Sequence, residues 1–384
     1  MTRPDSRTVL PRGEVIIGDA TAELAKLPEA SADMVLTSPP YFRLRDYAVT
    51  GQLGLELTVN DWVGGLRDVA REIARVLVPS GSFWLNVGDT YSTGDREGAA
   101  RKSLLLGPER LALALLEDGW RLRNKIVWQK ANYMPTSVTD RLACSWEAIY
   151  VFTSGDRYFF DLDAIRRPHT STVPKTTRWR PIRTKRQQWL GPNTDDATGL
   201  AAMKASGRVG HPLGKNPGDV WRTAASNYRG SHHASFPIAL AELAIRAGCP
   251  ELRCTSCRTP YRRPVHRQVI EGLGETAVRG ALTPQCGCPA ESEPGLVLDP
   301  FFGAGTTALG AIENRRDWLG IELSPHFAAE ARERIAEYQP VNGKAGATAE
   351  SHGVEGDRGD DDGGGDDGDA ADAVAAGRDT GTGP

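Results

Sequence analysis

Thr37-Ser38-Pro39-Pro40-Tyr41 sets a hydroxyl, two prolines and a phenol at the end of the apolar run Met34-Val35-Leu36. Each proline fixes its own φ, lacks an N–H and pushes the residue before it out of the helical region. Carbonyls in such a turn cannot enter a helix ladder, so one or two remain as acceptors beside the Ser38 hydroxyl and the Tyr41 ring. The turn suits a planar amino group held by its edge, with its ring against an aromatic face.

A second group lies far along the chain. Asp299-Pro300-Phe301-Phe302-Gly303-Ala304-Gly305-Thr306-Thr307 joins an apolar run, Leu296-Val297-Leu298, to a helical pattern beginning near Thr306. Glycines there let a ligand approach the backbone, and a helix N-terminus adds N–H donors. Glu322 closes the next strand, Trp318-Leu319-Gly320-Ile321, 23 residues after Asp299 and placed for the two hydroxyls of a ribose. Asp299, Phe301, Gly303, Gly305, Thr306 and Glu322 are therefore candidate nucleoside-cofactor residues. A dinucleotide fingerprint needs a third glycine near position 308, which is Ala308, so the loop points away from NAD.

The third group is Cys254-Thr255-Ser256-Cys257 with Cys286-Gly287-Cys288, bracketing Arg258, Arg262, Arg263 and Arg267. Cys-x-x-Cys at a turn is half of a tetrahedral zinc site, and the second pair can close it with four thiolates. His266 is an alternative fourth ligand, and free thiols in a reducing compartment are the competing reading. Cys144 and Cys249 have no partner pattern and read as core residues.

Alternating strands and helices must position these groups. Glu14-Val15-Ile16-Ile17 reads as a strand ended by Gly18-Asp19, then a helix over Thr21 to Leu27, then the strand Ala32 to Leu36. Asp61 to Val78 is an amphipathic helix stopped by Pro79-Ser80-Gly81, Ser82 to Val87 a strand, and Leu104 to Asp118 a helix. Trp120 to Trp128 and Trp146 to Phe152 read as an antiparallel pair at one edge. The expected fold is α/β, a doubly wound, mostly parallel sheet with a small cysteine-rich insert.

The net charge of -3 hides a segregation. Residues 341–384 hold 11 acidic against 3 basic residues, which leaves +5 on the rest. Arg166 to Arg222 holds 12 basic against 3 acidic residues, interleaved with Trp179, Trp189 and Trp221, as a polyanion-binding surface would. No apolar run suits a membrane helix and the N-terminus lacks a signal-peptide core, so a cytoplasmic protein without membrane contact is expected.

Taken in order, Gly18-Asp19, Ser38 to Tyr41, the basic stretch, His232 or His233 through Pro237, and Asp299 to Thr307 resemble the amino-group DNA methyltransferases of the circularly permuted class. In that family the catalytic motif precedes the S-adenosylmethionine motif. The resemblance spans roughly residues 13–338 apart from the cysteine insert. It implies a Rossmann-like methyltransferase fold, S-adenosyl-L-methionine as cofactor, and double-stranded DNA as partner. It further implies a base rotated out of the duplex, because the exocyclic amine is otherwise buried in the stack.

Mapped residue by residue, the resemblance implies that Tyr41 stacks on the base while the Ser38 hydroxyl and Pro39 carbonyl accept from its amine, Pro40 completing the motif. It implies that Asp299, Gly303, Gly305 and Glu322 hold the cofactor, with Asp19, Phe236 and Pro237 packed near it. Trp128-Gln129-Lys130 resembles a later motif beside the base pocket, against a plain core reading for Trp128; Asp89 is balanced in the same way. Serine at the first motif position is more frequent in members that methylate cytosine N4, aspartate in those that methylate adenine N6.

The implied activity is a site-specific DNA (cytosine-N4)-methyltransferase, in a restriction–modification setting with a cognate endonuclease. Adenine N6 on the same fold, a silent nucleic-acid-binding protein, and a protein or RNA N-methyltransferase are the alternatives. The expected divisions are a leader (1–12), a catalytic half (13–160), a basic target-recognition region (161–222), a cofactor half (223–248 and 295–340), a zinc-ribbon insert (249–294) and a disordered acidic Gly/Asp-rich tail (341–384).

Overall fold

The computed structural model describes residues 12–133, 135–168, 211–225, 236–270 and 274–340. The leader to residue 11, the tail, residues 169–210 of the basic region, and His232-His233 lie outside the described residues. Runs of apolar and β-branched residues form β1 (Glu14–Ile17), β2 (Ala32–Thr37), β3 (Leu77–Val87), β4 (Arg121–Lys130), β5 (Trp146–Thr153) and β6 (Val220–Thr223). The second half holds β7 (Leu252–Cys254), β8 (Val265–Ile270), β9 (Gly274–Arg279), β10 (Ser292–Pro294), β11 (Leu296–Asp299) and β12 (Asp317–Glu322).

Eight of them make one sheet in the order β1-β12-β11-β2-β3-β5-β4-β6. Only β5 runs against the rest, through its antiparallel pairing with β3 and β4. Because β2 and β11 are parallel neighbours, the loops that follow them leave the same sheet edge side by side. The chain leads away from these two strands in opposite directions, to β3 and to β12. That makes their carboxyl ends the crevice where open sheets bind ligands.

Helices α1 (Ala20–Leu24), α2 (Val59–Val76) and α3 (Gly107–Glu117) cover one face. The other is covered by α4 (Ile238–Gly248), α5 (Thr306–Glu313) and α6 (Pro325–Glu337). Strand periodicity divides the core cleanly: Val35, Phe83, Leu85 and Leu298 face the first layer, Met34, Leu36, Trp84 and Val297 the second. Thr58 starts α2 with a reciprocal cap, its hydroxyl taking the Asp61 N–H while the Asp61 carboxylate takes the Thr58 N–H.

Two expectations are corrected. The β4–β5 pair is not the sheet edge, because β6 adds in parallel outside β4. Four residues are too short to show a period, yet Trp221 is buried and stacks 6.2 Å from Trp84. Nor does Pro79-Ser80-Gly81 separate α2 from its strand. β3 begins at Leu77, and a register shift against β2 between Ala32 and Met34 absorbs the extra residues. The cysteine-bearing segment forms two small antiparallel ladders, β7 with β10 and β8 with β9.

Candidate active site

Asp299 ties the two motif loops together. Thr37 Oγ1 donates to its Oδ1 at 2.5 Å, Thr307 Oγ1 to its Oδ2 at 2.6 Å, and the Phe301 N–H to Oδ1 at 3.1 Å. The carboxyl is buried, and burial pushes its pKa up to about 6 against the pull of these donors. A single side chain thus joins the end of β2 to the end of β11 and the first turn of α5.

Beyond Asp299 the turn needs left-handed backbone, with φ of 50° at Gly303 and 72° at Gly305, which glycine adopts without a Cβ penalty. The turn aims the Gly303 N–H at Glu322 Oε2, 2.7 Å away, while the Ser324 N–H reaches Oε1 at 2.9 Å. Each Glu322 oxygen keeps a further lone pair for a ligand hydroxyl. Burial raises the Glu322 pKa, and the backbone donors oppose that rise. Gly18 N–H bonds the Glu322 carbonyl at 2.9 Å, which sets Asp19 beside it. Asp19 is also the N-cap of α1, accepting from the Ala22 N–H at 2.9 Å.

The Pro-Pro turn presents its acceptors unequally. The Pro40 carbonyl accepts from the indole of Trp62 at 2.9 Å, whereas the Pro39 carbonyl accepts nothing among the described residues. Tyr41 lies across the end of β3, where a Cβ on Gly88 would come 2.7 Å from its ring. Its hydroxyl donates to Glu147 Oε2 at 2.7 Å and stands 3.2 Å from Ser38 Oγ. Burial, then the neighbouring Glu147 charge, holds the phenol well above its ordinary pKa, so it stays protonated. Glu147 also receives the Lys130 ammonium on Oε1 and the Asn86 amide on Oε2 at 3.3 Å.

Both halves open into one cavity of about 500 Å³. Ser38, Pro39, Pro40, Tyr41, Asp19, Phe236, Phe301 and Glu322 line it, together with Asn86, Trp128, Lys130, Glu147, Tyr47 and Phe327. Asp299, Gly303, Gly305, Thr306 and Pro237 do not line it. Asp299 and the glycines instead shape the loop behind Glu322, Pro237 is the N-cap of α4, and the Thr306 hydroxyl takes a bond from Arg334 at 3.1 Å. These residues stand behind the cavity wall and support it.

Asp89 likewise stays outside the cavity, accepting the N–H groups of Leu106 and Gly107 at the start of α3. Trp128 is at once core and cavity wall. Cys249 is buried, but Cys144 is exposed at the cavity because it lies in the loop between β4 and β5 and not in the sheet. Sequence reasoning passed over Asn86 and Glu147. A polar residue inside Phe83-Trp84-Leu85-Asn86-Val87, and a carboxylate opening Glu147-Ala148-Ile149-Tyr150-Val151, were the available signal, since buried polar groups need a reason.

Away from this edge, the Sγ atoms of Cys254, Cys257, Cys286 and Cys288 all lie within 4.8 Å of one another. A tetrahedron of sulfurs about 2.3 Å from zinc has edges near 3.8 Å, so the quartet needs little adjustment to hold one. His266 is not part of the quartet. Cys257, beside the Thr259 hydroxyl, is drawn down to about 6, while its bond to Cys257 pushes Cys288 up to about 12. A divalent soft ion takes such sulfurs as thiolates.

A sequence profile described as DNA methylase, of the N6/N4 methyltransferase group, matches residues 32–333. The chain is 32% identical to the Type II methyltransferase M.SmaI of Serratia marcescens, over 84% of this chain and 90% of that enzyme. Against the Type II methyltransferase M.SfiI of Streptomyces fimbriatus identity is 48%, over 41% of this chain and 39% of the relative. Among solved structures, PvuII DNA methyltransferase (cytosine-N4-specific) superposes with a TM-score of 0.51 at 19% identity, covering 85% of this chain and 86% of that one. That likeness concerns the fold, and the sequence matches extend it to kinship: the chain belongs to the N6/N4 DNA methylase family.

Proposed function

We propose that this protein transfers a methyl group from S-adenosyl-L-methionine to the N4 amine of a cytosine rotated out of double-stranded DNA. The observation that carries the reading is a shared cavity. The Ser38-Pro39-Pro40-Tyr41 turn and Glu322 line the same space, so an amine acceptor and a ribose-binding carboxylate face one another across it. The residues fit the cofactor: Glu322 has lone pairs left for two hydroxyls, Asp19 lies beside it, and Phe301, Phe236 and Phe327 supply apolar surface for an adenine. When bound, the sulfonium supplies an electrophilic methyl group.

The chain's own residues do the rest. Tyr41 offers a ring face to the base, and the free Pro39 carbonyl and Ser38 oxygen accept from the amine. Two acceptors in a walled pocket draw the nitrogen lone pair out of conjugation with the ring, and positioning then does the work of collision. Serine in place of aspartate at position 38 favours cytosine over adenine. The basic stretch from Arg166 to Arg222 supplies the charge for a phosphate backbone. The Type II methyltransferase relatives support a restriction–modification setting with a cognate endonuclease.

Incubation with methyl-labelled cofactor and DNA, followed by digestion to nucleosides, is expected to place the label in N4-methylcytosine. Label in N6-methyladenine would overturn the choice of base, and unlabelled DNA would overturn the activity.

The same reading gives Cys254, Cys257, Cys286 and Cys288 a structural zinc ion, remote from methyl transfer. Metal analysis of the purified protein should find about one zinc per chain, lost in Cys257→Ser. Less than about half an equivalent in the unmodified protein would argue against the site.

A further inference from the structure

The reaction leaves a proton to be placed. As the amine nitrogen gains a methyl, the donor's sulfur–carbon bond breaks with its electron pair kept on sulfur, and the nitrogen becomes cationic until it releases one hydrogen. Ser38 presents a hydroxyl to the cavity, but a serine hydroxyl is too weakly basic to keep a second proton at neutral pH. The turn does not end at Ser38, however. Ser38 Oγ, Tyr41 Oη and Glu147 Oε2 form a continuous row, with steps of 3.2 and 2.7 Å.

We propose that Glu147 is the terminal proton acceptor, reached from the target amine through the hydroxyls of Ser38 and Tyr41. The inference rests on the amino-methyl-transfer reading above. In the relay the amine N–H proton passes to Ser38 Oγ as the Ser38 proton passes to Tyr41 Oη and the Tyr41 proton to Glu147 Oε2. Both hydroxyls end as they began, and Glu147 ends as a carboxylic acid that returns its proton to solvent.

Three features of the site favour this direction. Tyr41 keeps its proton at neutral pH, so it hands one on only as it receives another. The groups facing Glu147 are Lys130 from β4, Asn86 from β3 and Tyr41 from the turn, and no second carboxylate among the described residues touches it. Lys130 bonds Oε1, while Oε2 takes the phenol at 2.7 Å and the Asn86 amide at the longer distance of 3.3 Å. Asn86 fixes the carboxylate from the strand below, donating also to the Ala148 carbonyl at 3.2 Å.

Glu147 acts through Tyr41 and is a positioning and proton-accepting residue, so its test must separate proton transfer from packing. Single-turnover methylation should fall at least about 30-fold in Glu147→Gln and in Tyr41→Phe, with cofactor and DNA dissociation constants within about twofold of wild type. The double variant should be no slower than the slower single one, because residues in one relay fail together. Glu147→Asp, which keeps the carboxylate, should recover part of the rate that the amide loses.

A Glu147→Gln enzyme at wild-type rate would overturn the relay, as would additive losses in the double variant. Tyr41→Phe retains the ring, so its result stands even if Glu147→Gln folds poorly. These failures differ from failure of the underlying reading, in which the wild-type enzyme itself places no methyl on a DNA amine.

Discussion

Arg253→Met is expected to lower the unfolding free energy by about 3–5 kcal/mol, the usual loss when one partner of a buried ion pair is removed. The Arg253 side chain is 0% exposed. It donates to Asp33 Oδ2 at 2.6 Å, to the Ser31 carbonyl at 2.8 Å and to Glu293 Oε1 at 2.9 Å. Asp33 in turn accepts the Leu296 N–H at 2.8 Å. One guanidinium from β7, next to Cys254, therefore fastens the insert to β2, to β10 and, through Asp33, to β11. Of these, β2 and β11 carry the two motif loops.

Because methionine removes the cation and leaves the Asp33 charge behind, adding Asp33→Asn should restore a large part of the loss. Asp33 Oδ1 and Arg253 Nη2 have no protein partner among the described residues. Denaturant unfolding of the two single variants and the double one measures the coupling. A single-variant loss below about 1 kcal/mol, or a double variant no better than Arg253→Met, would show that the strands hold their places without this latch.

The ends of β2 and β11 were legible because each carries a motif whose residue types announce a strand end: prolines after Ser38, glycines after Asp299. Strand–helix alternation allowed both to end at one edge of the sheet, and the structure makes them parallel neighbours. What escaped was short or long-range. β6 has four residues, and its membership depends on Trp221 finding Trp84. Cys144 looked like a core residue by type, yet a loop position overrode the preference.

The site shows the same division. Ser38, Tyr41 and Glu322 were readable from local spacing. The bond from Thr37 to Asp299 spans 262 positions, and no local pattern encodes it. Glu147 opens an apolar strand and was passed over, because its partner Tyr41 lies 106 residues away on another element. Asp299 illustrates the limit best. Its type and place suggested a ligand contact, and only the folded chain shows that it also joins the two loops.

That role predicts a second large effect. Asp299→Ala should cost about 2–4 kcal/mol of stability and slow methyl transfer at least about 100-fold, because two buried hydroxyls and a half-buried N–H lose their acceptor where both loops meet. Thr307 can turn toward the Leu36 carbonyl, 3.3 Å away, which keeps the loss below the sum of three orphaned groups. Asp299→Asn separates shape from charge, since its amide oxygen still accepts from Thr37.

The native carboxyl, held up at about 6, binds a proton more tightly than in the unfolded chain, where its pKa is 3.8. The native state therefore carries more protons between those values, and this group's contribution falls as pH rises from about 4 to about 6. At pH 7 the ionised, buried carboxylate costs on the order of 3 kcal/mol relative to its protonated form. Asparagine has no such transition. The wild-type stability curve should drop relative to the Asp299→Asn curve across that interval, and Asp33 cancels from the comparison because both chains contain it. Parallel curves would mean that the three donors already stabilise the charge fully, and that the carboxylate is held for its charge as well as for its shape.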